Sequence, residues 1–209
     1  MAFCLFLVFV ILAVLTLNGT FHVFETSVQN WILKIRTPSM TSAIKIITYL
    51  GSFSILAGLT VLLIIIPYTR KKYGYPIAAA LCVSALVNII LKNIFCRPRP
   101  DGMIVAEVGY SFPSGHAQGS AAFFVALILL LLMNVKRLRI IPLIITCIII
   151  PIVVGFTRIY LGVHYIGDVI AGFALGASVA IGMVVLWFMV GEMLKKHEKL
   201  YRFFYEEEG

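Results

Sequence analysis

The chain has 209 residues, of which 61% are hydrophobic and only 12% charged, with a formal net charge of +8. Soluble domains carry roughly 25% charged residues, so about half that density excludes an ordinary water-soluble protein, and low charge combined with many aromatics excludes disorder. The basic residues fall in short clusters between apolar runs, which is the pattern of membrane topology and not of a nucleic-acid-binding surface.

The uncharged run from Ala2 to Leu17 is the first predicted span. Nothing basic precedes it and Asn18-Gly19-Thr20-Phe21 makes a poor cleavage site, so it is expected to be retained and not removed as a signal peptide. Over 21–36, Phe24, Val28, Trp31, Ile32 and Ile35 recur at the period of one helix face, with Glu25, Asn30 and Lys34 elsewhere on the wheel. That pattern predicts a short amphipathic helix, either lying in the membrane interface with Trp31 at headgroup level or packed on the bundle, and ended by Pro38. Further spans are predicted at 44–66, 76–91, 114–133, 140–156 and 163–193. Pro142 suits a first turn, whereas Pro151 is expected to kink the fifth span. The Glu-Glu-Glu run at 206–208 reads as a solvated tail. Cys4, Cys82, Cys96 and Cys147 are scattered with no C-x-x-C pair, so neither a zinc site nor a disulfide framework is predicted. The expected fold is all-α, a single domain over 1–209: a six-transmembrane-helix bundle with one short amphipathic interfacial helix.

Six spans place both termini on one side of the membrane. The loops shared with the C-terminal tail hold Arg70, Lys71, Lys72, Lys136, Arg137, Arg139, Lys195, Lys196, Lys199 and Arg202, ten of the 17 basic residues. The positive-inside rule therefore makes both termini cytoplasmic.

The other side collects the chemistry. Lys92 and Arg99 follow the third span; Ser114, Gly115 and His116 open the fourth; Arg158 closes the fifth; His164 and Asp168 open the sixth. Ionisable groups beside apolar spans are costly and face a cavity or one another, so three clusters on one face point to one site. Lys92, Arg99 and Arg158 are three positive charges suited to a phosphate-like anion, and arginine adds a planar fork of donors. Pro113-Ser114-Gly115-His116 lies at a helix start, where free N–H groups and the positive dipole end favour an anion. His164 and Asp168 are four residues apart, so on one helix the carboxylate can hold one ring nitrogen and leave the other free as a nucleophile. His116 is a second imidazole, able to protonate a leaving oxygen. No acidic cluster suited to magnesium stands beside them, which favours chemistry without a metal or other cofactor.

Blander readings exist for single residues. His22 and His197 read as interfacial polar residues, Lys92 alone could be a snorkelling anchor, and Asp168 alone a helix-start acid. Arg97 reads as a surface charge, Asn88 as a satisfied interhelical donor, and Gly172 and Gly176 as small residues for close packing.

Lys92-x₆-Arg99-Pro100, Pro113-Ser114-Gly115-His116 and Thr157-Arg158-x₅-His164-x₃-Asp168 resemble, in order, the three signatures of the type 2 phosphatidic acid phosphatase superfamily. The resemblance runs from about the second span to the end of the sixth. It implies a six-helix membrane enzyme that hydrolyses lipid phosphates at the outer face without metal. It implies that His164 attacks phosphorus to give a phosphohistidine, that Asp168 orients it, and that His116 protonates the departing group. Lys92, Arg99, Ser114, Gly115 and Arg158 would hold the phosphoryl oxygens, with Thr157 beside them where the signature usually has Ser. The six-residue spacing from Lys92 selects Arg99 over Arg97.

The substrates expected are a membrane phospholipid or a polyprenyl diphosphate: phosphatidylglycerol phosphate, phosphatidic acid or undecaprenyl diphosphate. The loop from Asp101 to Tyr110, with Asp101 and Glu107, is the candidate headgroup reader. A transporter would line a pathway with charge through the midplane, whereas here charge gathers at one face. A catalytically inactive scaffold is disfavoured by near-intact signatures.

Overall fold

The computed structural model describes residues 1–135 and 140–205, apart from the side chains of Glu198 and Lys199. Lys136, Arg137, Arg139 and the acidic run at 206–208 lie outside the described residues. Every regular element described is helical. In chain order these are α1 (Ala2–Leu17), α2 (His22–Ile35), α3 (Pro38–Ile47), a 3-10 turn (Thr48–Gly51), α4 (Phe53–Ile65), α5 (Pro67–Thr69), a wide π turn (Arg70–Gly74), α6 (Tyr75–Phe95), α7 (Gly115–Asn134), α8 (Ile141–Tyr160), α9 (Ile166–Leu194) and α10 (Glu198–Phe204).

Four continuous helical stretches are long and apolar enough to cross a membrane: Pro67–Phe95, Gly115–Asn134, Ile141–Tyr160 and Ile166–Leu194. Two bent pairs bring the number to as many as six, α1 with α2 at 90° and Pro38–Gly51 with α4 at 46°. The unbroken helix expected over 44–66 is therefore interrupted at Thr48–Ser52. Ser52 restarts the helix as an N-cap, its hydroxyl accepting from the Ile55 N–H at 3.3 Å. Gly51 lies so close to Val154 of α8 and Ser120 of α7 that a Cβ would collide with both. The break lets the chain approach α8 and turns Thr48 toward the polar end of the bundle.

The inward face of α2 also differs from the apolar periodicity. Ile32 is buried as expected, but Phe24 and Trp31 are exposed, and Glu25 and Gln29 complete the buried face. Glu25 is 1% exposed. A carboxylate is tolerated there only because a cation meets it, described below. At the far end of α2, Arg36 donates to the carbonyls of Tyr160 (2.9 Å) and Gly102 (3.0 Å). The turn after α8 needs Gly162 at φ +74°, where a Cβ would meet Arg36 Nη2 and the Gly102 carbonyl.

The bundle is organised on α7 and α9, the most extensively contacting helix pair. Gly172 faces the Ser114 carbonyl, 2.7 Å from where its Cβ would be, and Gly176 faces the Gln118 carbonyl more closely still. These glycines let two helix backbones touch, as their spacing predicts. Asn88 of α6 donates to the Pro113 carbonyl (3.2 Å) and to Gln118 Oε1 (2.8 Å), while Gln118 donates to the Ser84 carbonyl (2.8 Å). This buried amide chain fixes the start of α7 against α6 and satisfies the Asn88 donor.

Gly176→Val is expected to cost about 1–3 kcal/mol or more by overpacking, lowering the thermal midpoint in detergent and abolishing turnover. Gly182→Val on the same helix, where nothing stands within 4 Å of the new Cβ, should leave both unchanged.

Candidate active site

α6 stops at Cys96, which takes a left-handed conformation (φ 46°) and sends the chain across the end of the bundle until α7 begins. Lys92, in the last turn of α6, donates to the Tyr110 carbonyl. Arg99 is fixed by three carbonyls, donating from Nη1 to Val163 (2.8 Å), from Nε to Gly109 (2.9 Å) and from Nη2 to Val108 (3.1 Å). Its Nη1 also lies 3.5 Å from His164 Nε2.

Arg158 sits in the last turn of α8, which extends to Tyr160, past the boundary expected at 156. It is 2% exposed, donates from Nη1 to Thr48 Oγ1 at 2.9 Å, and pairs through Nη2 with Glu107. Glu107 also stands 3.8 Å from Arg99. Burial alone would raise the Glu107 carboxyl, but Arg158 and Arg99 hold it below its ordinary range, so it is ionised. A carboxylate thus rests on two of the three cations that the sequence assigns to an anion.

Ser114 is the N-cap of α7, with Gly115 and His116 in the first turn. The Ser114 N–H donates to the Asp168 carbonyl at 3.0 Å, tying the starts of α7 and α9 together. Ser114 Oγ is buried without a partner. Gly115 lies against Asn88, and a Cβ there would stand 3.1 Å from Asn88 Oδ1. A cavity of about 260 Å³ opens beside His116 and Gly115, walled by apolar side chains of α4 (Phe53, Leu56) and α6 (Leu81, Ile89), with Gln118 and Gly119 on the α7 side.

His164 and Asp168 do not share a helix, contrary to the i, i+4 reasoning. α9 begins at Ile166 with Tyr165 as its N-cap, so His164 lies in the preceding loop. They meet because Asp168 folds back over the helix start. Its Oδ2 accepts from the Tyr165 N–H at 2.9 Å and stands 3.5 Å from His164 Nδ1. Burial pushes the His164 imidazole down to about 4 against the pull of Asp168, so the ring is neutral near pH 7. Nδ1 faces the carboxylate, and Nε2 faces the Arg99 guanidinium.

Arg97 is not a surface charge. It pairs with Glu25 and with Asp168 Oδ1, each at 2.5 Å, and its guanidinium carbon lies 4.3 Å from the centroid of the Tyr165 ring. Thr157 is buried, and its hydroxyl donates to the Val154 carbonyl of its own helix at 2.6 Å. Among the described residues no group of three or more His, Cys, Asp or Glu side chains is arranged to hold a metal ion.

Residues 72–192 match the model of the PAP2 superfamily. The chain belongs to that superfamily. It is 31% identical over 179 residues to phosphatidylglycerophosphatase B of Bacillus subtilis, covering 82% of this chain and 87% of that protein. It is 30% identical over 128 residues to an undecaprenyl-diphosphatase of Sulfolobus acidocaldarius, covering 58% of each. The crystal structure of a transmembrane PAP2-type phosphatidylglycerolphosphate phosphatase from Bacillus subtilis superposes with a TM-score of 0.82 at 28% identity, covering 90% of this chain and 96% of that one.

All three signatures lie inside the matched segment, and the fold brings them to one end of the bundle. Sequence reasoning missed Thr48 and Glu25. Thr48 sits in a stretch read as mid-helix, and Glu25 was placed on the outward side of α2. Neither carries a motif, so only tertiary contact reveals them.

Because Glu107 occupies the cations, Glu107→Gln should tighten inhibition by orthovanadate by about tenfold, equivalent to about 1.4 kcal/mol. An inhibition series on purified protein checks this, and weaker inhibition would show that Glu107 assists anion binding.

Proposed function

We propose that this lipid phosphatase cleaves a lipid phosphate or diphosphate at the extracytoplasmic membrane face through a phosphohistidine on His164, without a metal ion. The observation that carries the reading is the placement of the buried His164 ring, with Nδ1 toward Asp168 and Nε2 3.5 Å from a fixed arginine. In the first step Nε2 attacks phosphorus while the bond to the leaving oxygen breaks, and His116, having taken up a proton from the entering phosphoryl group, passes it to that oxygen. As the ring becomes cationic, Asp168 balances its charge. In the second step water attacks the phosphohistidine, His116 takes a proton from it, and inorganic phosphate leaves with the His164 ring neutral again. Lys92, Arg99 and Arg158 hold the phosphoryl oxygens once Glu107 is displaced, with the Ser114 hydroxyl and the N–H groups at the start of α7. Thr157 joins them only by giving up the Val154 carbonyl.

The apolar cavity beside His116 supports lateral entry of a lipid chain between α4 and α6. In this reading the two bent pairs supply the remaining spans, with α2 along the interface, and 1–209 is one domain. Both termini are cytoplasmic. Phosphatidylglycerol phosphate is the first substrate to test, because a relative matching 82% of this chain bears that activity in its name. Phosphatidic acid and undecaprenyl diphosphate present the same phosphoryl group.

Phosphate release from these three lipids, in detergent with excess EDTA, tests the activity. His164→Ala should remain folded and lose more than the factor of about 10²–10⁴ typical of a general acid. Near-normal release by that variant ends the phosphohistidine reading, and a strict magnesium requirement ends the metal-free one.

Orientation is tested separately by labelling intact cells with an impermeant maleimide. On a background with Cys4, Cys82, Cys96 and Cys147 replaced, a cysteine at Val108, which is 95% exposed, should react. One at Asn134, at the other end of α7, should not. The reverse pattern would place the site on the cytoplasmic face.

A further inference from the structure

Asp168 is gripped on both of its oxygens. Oδ2 takes the Tyr165 N–H and faces His164, while Oδ1 takes Arg97 Nη1 at 2.5 Å. The same guanidinium reaches back to α2, where Glu25 accepts from Nη2 at 2.5 Å and from Nη1 at 3.2 Å. The Glu25 and Asp168 side chains are both 0% exposed, and Arg97 is 12% exposed. The contact is close-fitting, since a Cβ at Gly167 would collide with the Glu25 carboxylate. We propose that Arg97 and Glu25 are positioning residues for the nucleophile: Glu25 fixes Arg97, and Arg97 fixes the Asp168 carboxylate so that Oδ2 stays aimed at His164 Nδ1. This rests on the reading of His164 as the nucleophile.

Charge balance gives the arrangement its purpose. Two buried carboxylates and one guanidinium leave a single net negative charge, suited to the cationic ring that forms when Nε2 bonds to phosphorus. Asp168 alone could rotate toward the cations of the site. Pinned by Arg97, it stays in place, and Glu25 offsets the guanidinium so that the pin does not cancel the charge His164 needs. Glu25 lies outside the segment that matches the superfamily model. The tie from α2 is thus supplied by the part of the chain that the model does not match.

The inference separates from a structural ion pair by what it predicts for catalysis. The groups facing His164 are Asp168 and, through Arg97, Glu25 on one side, and Arg99, Arg158, Lys92 and His116 on the other. Removing the Arg97 guanidinium leaves the second set in place and frees uncompensated negative charge near the ring. The proton affinity of His164 then rises, and the acid limb of kcat/KM moves to higher pH.

The experiment measures kcat, KM and the pH profile for the whole protein in detergent micelles containing phosphatidylglycerol phosphate. Arg97→Met should lower kcat by about a hundredfold, the scale of a misplaced reacting group. Arg97→Lys, which keeps the charge but loses the fork, should recover part of that loss, and Glu25→Gln should cost about tenfold with KM nearly unchanged. Because Arg97→Met strands a buried carboxylate, the double variant carrying Glu25→Gln and Arg97→Met is measured beside it. Size-exclusion profile and thermal midpoint report folding. A folded double variant with wild-type kcat overturns the proposal, as does an unmoved acid limb in a folded Arg97→Met or a loss confined to KM. His164→Ala runs in parallel: turnover surviving in it refutes the nucleophile reading, whereas a dead His164→Ala beside a normal double variant refutes only the positioning role.

Discussion

Charge at the end of an apolar bundle is tolerable only when each group has a partner, and most of this fold's irregularities serve that requirement. Arg158 is almost fully buried, so it must be met, and it is met by Thr48 and Glu107. Thr48 is available because the helix from Pro38 is broken by a 3-10 turn instead of running on into α4. Glu107 is available because the left-handed Cys96 turns the chain across the bundle. Arg97 and Glu25 answer each other likewise, which draws α2 against the start of α9. The broken second span and the inward acid of α2 follow from one electrostatic condition.

Backbone proximity is the second condition. The Ser114 N–H reaches the Asp168 carbonyl only because Gly172 and Gly176 let α7 and α9 approach to contact. That bond sets the turn at Ser114 beside the carboxylate that faces His164. The amide chain of Asn88, Gln118 and Ser84 then fixes the same turn against α6, and with it Lys92. Three signatures carried by four helices, α6 to α9, meet at one end of the bundle because those helices are locked there by polar contacts, while apolar packing holds the rest.

What the sequence made legible was periodic or carried a spaced motif. The apolar runs located the long helices to within a few residues, because a 20-residue run is hard to satisfy otherwise. The motifs singled out His116, Arg158, His164 and Asp168, which the fold gathers at one end of the bundle, and the arginine that the six-residue spacing selected, Arg99, lies 3.5 Å from His164. What was not legible depended on partners distant in sequence. Apolar content cannot tell that 44–66 breaks at Thr48, since the reason lies 110 residues away in Arg158. Helix periodicity put Glu25 outward because it counts the carboxylate as polar and cannot see Arg97. Pairing of His164 with Asp168 was anticipated, but on the wrong local structure: the carboxylate reaches back as a helix-start acceptor and not along a helix face.

Glu107 gives the resting site a particular logic on the proposed chemistry. Its carboxylate carries one negative charge and meets Arg158 and Arg99, so an entering group must outcompete it. A phosphodiester, also singly charged, gains little by that exchange. A terminal phosphoryl group brings up to two charges and three oxygens, enough to engage Lys92, Arg99 and Arg158 together and the helix start beside Ser114. On the proposed function the internal anion would set a threshold favouring terminal phosphoryl groups over the bridging phosphates of ordinary phospholipids, while it gives the buried Arg158 a partner. On that function, discrimination against the bulk lipid of the membrane would follow from charge count at the cations, before any contact to a headgroup is made.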